Sequence, residues 1–335
     1  MKRILVVFLV LVAAFLLVEL FIFSKKNTPG TLSDSTYFEA GKRYYKIFNV
    51  KIPDSLAFAG ENVPLDKFYV REGLDRELLV NSYWQSNTLL LLKRSFRFFP
   101  LIDSILAAHK VPSDFKYLAL IESGLENVVS PAGAAGFWQF LKTTASSYGL
   151  TVNQEVDERY DLEKSTIAAC NYLKGAYQHF HSWTLAAASY NMGLAGLDAV
   201  IENQKTSNYY DLYLNKETQR YVYRILAVKL IYRNPVGFGF YLRHRDLYPP
   251  IPLYSVIVDS AVACWPDFAR ENNSNYRILK ELNPWIIKYS FTNKENKIYK
   301  VKFPKQGYEQ YTKLFSETKQ EETLFNDTLT VDRIR

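Results

Sequence analysis

The sequence predicts a mainly α-helical fold with a small α+β module towards its C-terminal end. Three observations carry this. From Pro112 to Asn234 apolar residues recur at helical spacing. The run Pro249-Pro250-Ile251-Pro252 then makes a stiff joint. Beyond it, β-branched runs at 255–258 and 298–303 enclose a helical middle.

Taken in order, residues 24–36 are linker-like, rich in Ser, Lys, Asn, Thr, Pro, Gly and Asp. Segments near 37–49 and 74–110 read as amphipathic helices, with Leu89 to Leu92, Phe96, Phe98 and Phe99 as burial candidates. Helical stretches follow near 113–123, 138–148, 163–181, 183–190, 194–203 and 216–233. Asn234-Pro235 and Gly237-Phe238-Gly239 end the pattern. The expected domains are a membrane segment (1–23), a linker and N-terminal helical region (24–74), a helical domain (75–238), a small module (250–310) and a loose tail (311–335).

Composition narrows the function classes. A chain of 335 residues suits about two domains. Its 48% hydrophobic and 22% charged residues describe a packed protein and exclude disorder and collagen-like repeats. Aromatics reach 16%, with 25 Tyr and 22 Phe, and such residues fill cores or line grooves for flat partners such as sugar rings. Two cysteines exclude a disulfide framework and an all-cysteine zinc site. Cys170 sits in a helical apolar pattern and reads as core rather than as a partner for Cys264. The net charge of +7 is spread among residues of both signs, which reads as a solubilising surface and not as a nucleic-acid face.

Met1-Lys2-Arg3 precedes an apolar run from Ile4 to Val18 that continues past Glu19 to Phe23, before Lys25-Lys26. About 20 residues cross a bilayer as a helix, whereas a signal-peptide core needs roughly 7–15. Leu20-Phe21-Ile22-Phe23 are all bulky, so no small-residue cleavage site follows, and no cysteine is placed for a lipid anchor. The expectation is an uncleaved signal-anchor, with a cleaved signal peptide as the alternative; either way the rest of the chain is expected outside the cytoplasm. Basic residues flank both ends and do not orient the segment by themselves.

The chemistry begins at the helix that opens near Ser113-Asp114. Phe115, Leu118, Ala119 and Glu122 fall at i, i+3, i+4 and i+7, on one face. A carboxyl on an apolar stripe is held in its protonated form to higher pH, as a general acid requires. The alternative is that Glu122 ends the helix and turns into water past Ser123-Gly124. Next, Ser130-Pro-Ala-Gly133-Ala-Ala-Gly136-Phe137-Trp138-Gln139 combines a tight turn, a stacking face on Trp138 and the amide of Gln139. Further on, Ala186-Ala187-Ala188-Ser189-Tyr190-Asn191-Met192-Gly193 is a small-residue helix ending in Tyr-Asn. Tyr190 alone reads equally as a packing residue.

Together and in this order, Ile121-Glu122-Ser123, Gly133 to Gln139 and Ala187 to Gly193 resemble the motifs of the soluble-lytic-transglycosylase family, lysozyme-like enzymes that cleave peptidoglycan, and most of all its membrane-bound type D branch. Asp157-Glu158-Arg159-Tyr160-Asp161-Leu162, leading into Ala168 to Leu173, is similar to the family's link to its next helix. Glu217-Thr218-Gln219-Arg220-Tyr221-Val222 is similar to its late Glu-Thr-x-x-Tyr-Val motif. The resemblance covers about residues 75–235. It implies a lysozyme-like α+β catalytic domain, with Glu122 as acid and base. Ser123, Ser130, Gln139, Tyr190, Asn191, Glu217 and Tyr221 then bind substrate or line the cleft. Ser130 stands one position nearer to Glu122 than the family pattern places its serine.

The resemblance also implies a mechanism with one carboxylate. Ordinary glycosidases flank the bond with two, whereas Glu126 lies in a polar turn and reads as solvated. Glu122 protonates the glycosidic oxygen and then deprotonates the C6 hydroxyl, which attacks C1 and closes a 1,6-anhydro ring. No cofactor or metal is expected; His179 and His181, two apart, point to different sides of a helix. Asp267-Phe268-Ala269, Asn275-Tyr276, Leu282-Asn283-Pro284-Trp285 and Tyr299-x-Val301-x-Phe303-Pro304 resemble a diverged LysM module, a small glycan binder. A structural cap is the alternative for that segment. The expected partners are peptidoglycan glycan strands and, through residues 1–23, the membrane. Alternatives for the whole chain are a hydrolytic goose-type lysozyme or chitinase and a non-catalytic glycan-binding scaffold of the envelope.

Overall fold

The structure, a computed structural model, describes residues 47–316. The expected membrane segment, and most of the helix expected at 37–49, lie outside the described residues.

The first element is a small hairpin, β1 (Ala57–Phe58) and β2 (Glu61–Asn62), paired Ala57↔Asn62 and Phe58↔Glu61. Residues 49–66 were expected as linker and helix, but they fold onto the helical body. Phe58 is fully buried and meets Phe115 edge-on at 5.3 Å. The hairpin backbone is also pinned by a buried ion pair. Lys229 Nζ donates to the Ala57 carbonyl at 2.6 Å and pairs with Asp114, whose carboxylate accepts from Ala59 N at 2.8 Å.

The helix expected at 74–110 is two helices, α1 (Phe68–Tyr83) and α2 (Gln85–Ala108), broken at Trp84, whose ψ of 59° leaves the helical region. In α2 the buried residues Leu91, Leu92, Ser95, Phe99, Ile102 and Leu106 trace one stripe, the pattern of a helix packed on a core. A 3-10 turn (Ser113–Phe115) leads into α3 (Lys116–Ser123). The helix expected at 138–148 is confined to α4 (Lys142–Ser147). Residues 138–141 stay outside it because Gln139, at φ 49°, is in the left-handed region.

The body is completed by α5 (Leu162–Phe180), α6 (Trp183–Met192), α7 (Leu194–Gln204) and α8 (Lys216–Arg233). Each of α5, α6 and α8 starts on a side-chain cap. Asp161 accepts from Lys164 N, Ser182 from Leu185 N, and Asn215 from the backbone of Glu217 and Thr218. Helix α8 is the central pillar, packing on α1, α3 and α6, and Val222, Ile225, Leu226 and Ala227 on it are fully buried. Cys170, on α5, is buried and free, as the apolar pattern implied; Cys264 is also free.

After two 3-10 turns the chain forms β3 (Leu253–Val258), α9 (Trp265–Glu271), α10 (Tyr276–Leu282) and β4 (Tyr299–Pro304). The strands are antiparallel, from Leu253↔Pro304 to Val258↔Tyr299. Alternate residues Tyr299, Val301 and Phe303 face inward, the period of a half-buried strand. With Trp265, Ala269, Leu279, Trp285, Ile286 and Phe291 they make a second, smaller core. The architecture is thus a mainly α lysozyme-like body with a small α+β module. The start of the expected loose tail is ordered as a helix, α11 (Tyr311–Ser316).

Candidate active site

Helix α3 buries Tyr117, Leu118, Ala119 and Leu120 and ends at Gly124, whose φ of 64° suits glycine. The amide of Gly124 donates to the Leu120 carbonyl at 2.9 Å, so the chain turns away only after Glu122. Glu122 therefore does not swing into water. It sits half-buried on the apolar stripe and its Oε1 accepts from the Tyr221 hydroxyl, delivered by α8.

Burial holds the Glu122 carboxyl above the ordinary carboxylate range. The Tyr221 hydrogen bond and the Arg224 charge oppose this shift, and the Glu217 charge adds to it. Burial and the charge of Glu122 also push the Tyr221 hydroxyl well above its usual value, so it stays a proton donor. Tyr190 is raised for the same two reasons.

Glu217, Tyr221 and Arg224 stand at i, i+4 and i+7 on α8 and share one face. Sequence reading found the first two and missed Arg224, although the heptad spacing was there to see. Arg224 Nη2 donates to the Ile121 carbonyl at 2.9 Å, which holds a cation beside Glu122. Asn191, at the end of α6, joins this group: its Oδ1 accepts from Thr218 Oγ1 at 2.7 Å and its Nδ2 donates to Glu217 Oε1 at 3.3 Å. Glu217 is exposed at the rim.

The turn from Ser130 to Phe140 lies against the end of α3, where the Ser123 hydroxyl bonds the Phe137 carbonyl. Ser130 Oγ accepts from Ala134 N at 3.1 Å and closes the turn, leaving its proton available. Gln139 spends both amide hydrogens on backbone, donating to Val128 O at 3.0 Å and Gly136 O at 2.8 Å. What it can offer a ligand is its carbonyl oxygen. Gly136 has φ 77°, and a Cβ there would stand 2.0 Å from the Arg159 carbonyl, so only glycine fits.

Two expectations are corrected. Trp138 is fully buried and its indole N–H donates to Thr166 Oγ1 at 2.9 Å, so it packs the turn and presents no stacking face. Ser123, expected among the substrate-binding residues, is buried; its hydroxyl donates to Phe137 O at 2.9 Å and accepts from Leu125 N at 3.1 Å. It fastens the end of α3 to the turn. Tyr190 ties α6 to the turn, its hydroxyl donating to Trp138 O at 2.8 Å and its ring meeting Tyr172 edge-on at 5.1 Å.

Glu126, the other nearby carboxylate, is half-exposed and paired with Arg94. Among the described residues no cluster of three or more His, Cys, Asp or Glu is arranged to hold a metal ion. His179 bonds Asp198 at 2.8 Å on the surface.

The chain is 29% identical over 202 residues to the membrane-bound lytic murein transglycosylase D of Escherichia coli K12, an alignment covering 58% of this chain and 44% of the relative. The protein of the same name from Escherichia coli O6:H1 matches to the same extent. The chain thus spans less than half the length of these curated relatives. Residues 102–213, which include Glu122, Ser130, Gln139, Tyr190 and Asn191, match the family model described as the transglycosylase SLT domain. Residues 254–307 match the model described as the soluble lytic transglycosylase C-terminal LysM-like domain. The chain therefore carries a transglycosylase SLT domain followed by a LysM-like domain of the kind found at the C-terminus of soluble lytic transglycosylases.

Proposed function

We propose that this protein is a peptidoglycan lytic transglycosylase that cleaves the β-1,4 bond between N-acetylmuramic acid and N-acetylglucosamine and leaves 1,6-anhydromuramic acid ends, in turnover and remodelling of the cell wall. The observation that carries the reading is the Glu122 carboxyl, pushed above the ordinary carboxylate range by burial and oriented by Tyr221, inside an SLT domain.

In this reading Glu122 first gives its proton to the glycosidic oxygen as the bond to C1 breaks. The resulting carboxylate takes the proton of the C6 hydroxyl, whose oxygen forms the new bond to C1. One group serves both steps because the nucleophile is tethered to the reacting ring. Tyr221 aims the carboxyl, and Arg224 stabilises it while it is charged. The Gln139 oxygen and the Ser130 hydroxyl bind the sugar and its acyl groups. Tyr190, with Asn191 and Glu217, lines the cleft.

The LysM-like domain supports a second contact with glycan strands. Residues 4–23 are assigned to an uncleaved signal-anchor that places the enzyme on the membrane with residues 75–238 and 250–310 in the periplasm. The membrane-bound relative supports this, and among the described residues no helix is long and apolar enough to cross a membrane.

Borohydride labelling of digested murein tests the reading. Ring closure adds no water, so products lack a reducing end and are one water lighter than hydrolysis products. New reducible muramic ends as the dominant product overturn it in favour of hydrolysis.

A further inference from the structure

We propose that Arg159 is a positioning residue through which the C-terminal module braces the active-site turn; the inference rests on the assignment of Glu122 and Gln139 to the site above. The module is joined to the helical body by backbone pairing. Val156 bridges Ile286, Asp157 N donates to Trp285 O at 2.9 Å, and Ile287 N donates to Glu155 O at 2.9 Å. Val156, from the body, is 1% exposed and is part of the module's own core. Polar contacts edge the seam: Lys302 Nζ to Glu163 at 2.8 Å, Lys297 Nζ to Thr151 Oγ1 at 2.7 Å and Thr292 Oγ1 to Glu155 at 2.9 Å.

The residue that follows Val156, Asp157, is buried and turns its carboxylate to Arg159. The Asp157 carboxylate holds the buried Arg159 guanidinium, which donates from Nε to Oδ1 at 2.9 Å and to Oδ2 at 3.2 Å and from Nη2 to Oδ2 at 2.7 Å. The remaining nitrogen, Nη1, donates to Gly133 O at 2.8 Å and Phe140 O at 3.1 Å. These two carbonyls bracket the segment that carries Gln139 and the Trp138 carbonyl on which Tyr190 bonds. Each link is therefore direct: module backbone, Asp157, Arg159, turn, substrate-facing groups. A planar fork serves the carboxylate and both carbonyls at once, whereas the ammonium of lysine is a single point with three hydrogens. A binding module that only tethers the enzyme to glycan has no need of such a seam.

Hydrogen exchange on the full chain tests this, using Arg159→Lys, which keeps the charge, and Val156→Ala, which loosens the seam without touching the turn. The reporters are the amides of Ser130, Ala135, Gly136 and Gln139, all bonded within the turn or to its flank. Both variants are expected to exchange at least about tenfold faster over 130–140, with α5 at the wild-type rate. On soluble glycan-strand fragments kcat should fall about tenfold or more while KM for sacculi stays within about twofold, since misplacement acts on the chemical step. Wild-type exchange over 130–140 in Arg159→Lys overturns the proposal. So does Val156→Ala if it loosens 285–287 alone, and so does faster exchange with kcat unchanged. If Arg159→Lys does not fold, Val156→Ala decides by the same reporters. Absence of murein cleavage by the wild type would sink the proposed function, and the exchange rates would still decide the brace.

Discussion

The Tyr221 hydroxyl donates to Oε1 of Glu122 across 99 residues of sequence. The acid therefore does not belong to α3 alone. Helix α8 supplies the donor that aims it and the Arg224 cation that tempers it, so the proton affinity of Glu122 is set by the packing of two helices.

That balance fixes a sign. Both Tyr221 and Arg224 pull the Glu122 carboxyl down against the upward effect of burial. Tyr221→Phe and Arg224→Gln should each let it rise further. The alkaline limb of kcat/KM, where the acid loses its proton, should then move to higher pH in both variants. The Tyr221→Phe variant should also turn over more slowly, because the carboxyl is no longer aimed. A limb that stays put or moves to lower pH in a pH–rate profile would contradict this electrostatic account.

Glu122→Gln gives a second sign. In the folded chain the carboxyl lies above its ordinary value of 4.5, so the folded state binds the proton more tightly than the unfolded chain does. The stability that this contributes is complete below that ordinary value and is lost as pH rises through the folded-state value. Glutamine does not titrate. The variant should therefore gain on the wild type as pH rises above about 4, as read by thermal unfolding at a series of pH values, and its murein cleavage should drop about 100-fold or more. A variant that instead loses stability relative to the wild type as pH rises would mean Glu122 is not a carboxyl raised by burial.

How much of this was legible depends on what each feature leaves in the sequence. The long helices show because burial repeats every three to four residues, as in α2, and the strand β4 shows because burial alternates. Glu122 could be placed on an apolar stripe by spacing alone, and Tyr221 came from the motif resemblance, whereas Arg224 belongs to no motif and was missed. The hairpin at 57–62 has strands of two residues, too short for any period. Trp138 misled because an aromatic after a glycine turn looks the same whether its face is open or buried; only the Thr166 bond tells them apart. The seam at Val156 and Ile286 is made of backbone bonds, which any side chain permits, so no residue type announces it.

The hairpin carries a consequence for stability. Glu61 lies upstream of the matched SLT segment, yet its carboxylate caps α6, the helix that carries Tyr190 and Asn191. It accepts from Ser182 Oγ at 2.9 Å, from Thr184 N at 3.0 Å and from Thr184 Oγ1 and Trp183 N. Removing it leaves helix N-terminal donors without partners. Glu61→Ala should cost about 2 kcal/mol, and Glu61→Gln, which keeps an acceptor, should cost less. Denaturant unfolding of the two variants checks this; equal stability would mean the hairpin is not part of the folded unit.

Two glycines in one turn provide an internal control. Gly133 (φ 82°) and Gly136 (φ 77°) both adopt left-handed backbone, so alanine at either position pays the same conformational penalty, roughly 1–2 kcal/mol. Their surroundings differ. A Cβ on Gly133 meets nothing within 4 Å, whereas one on Gly136 stands 2.0 Å from the Arg159 carbonyl and 2.7 Å from its carbonyl carbon. Backbone cannot step aside as a flexible side-chain tip can, so the turn must separate from the Glu158–Tyr160 segment. That movement breaks the Arg159 bonds to Gly133 and Phe140 and shifts Gln139 and the Trp138 carbonyl that holds Tyr190. Gly133→Ala should therefore lose about 1–2 kcal/mol in denaturant unfolding and keep most of its kcat. Gly136→Ala should lose at least about 3 kcal/mol and nearly all turnover. Equal losses at the two sites would mean that backbone conformation, and not the contact with Arg159, sets the geometry of the turn.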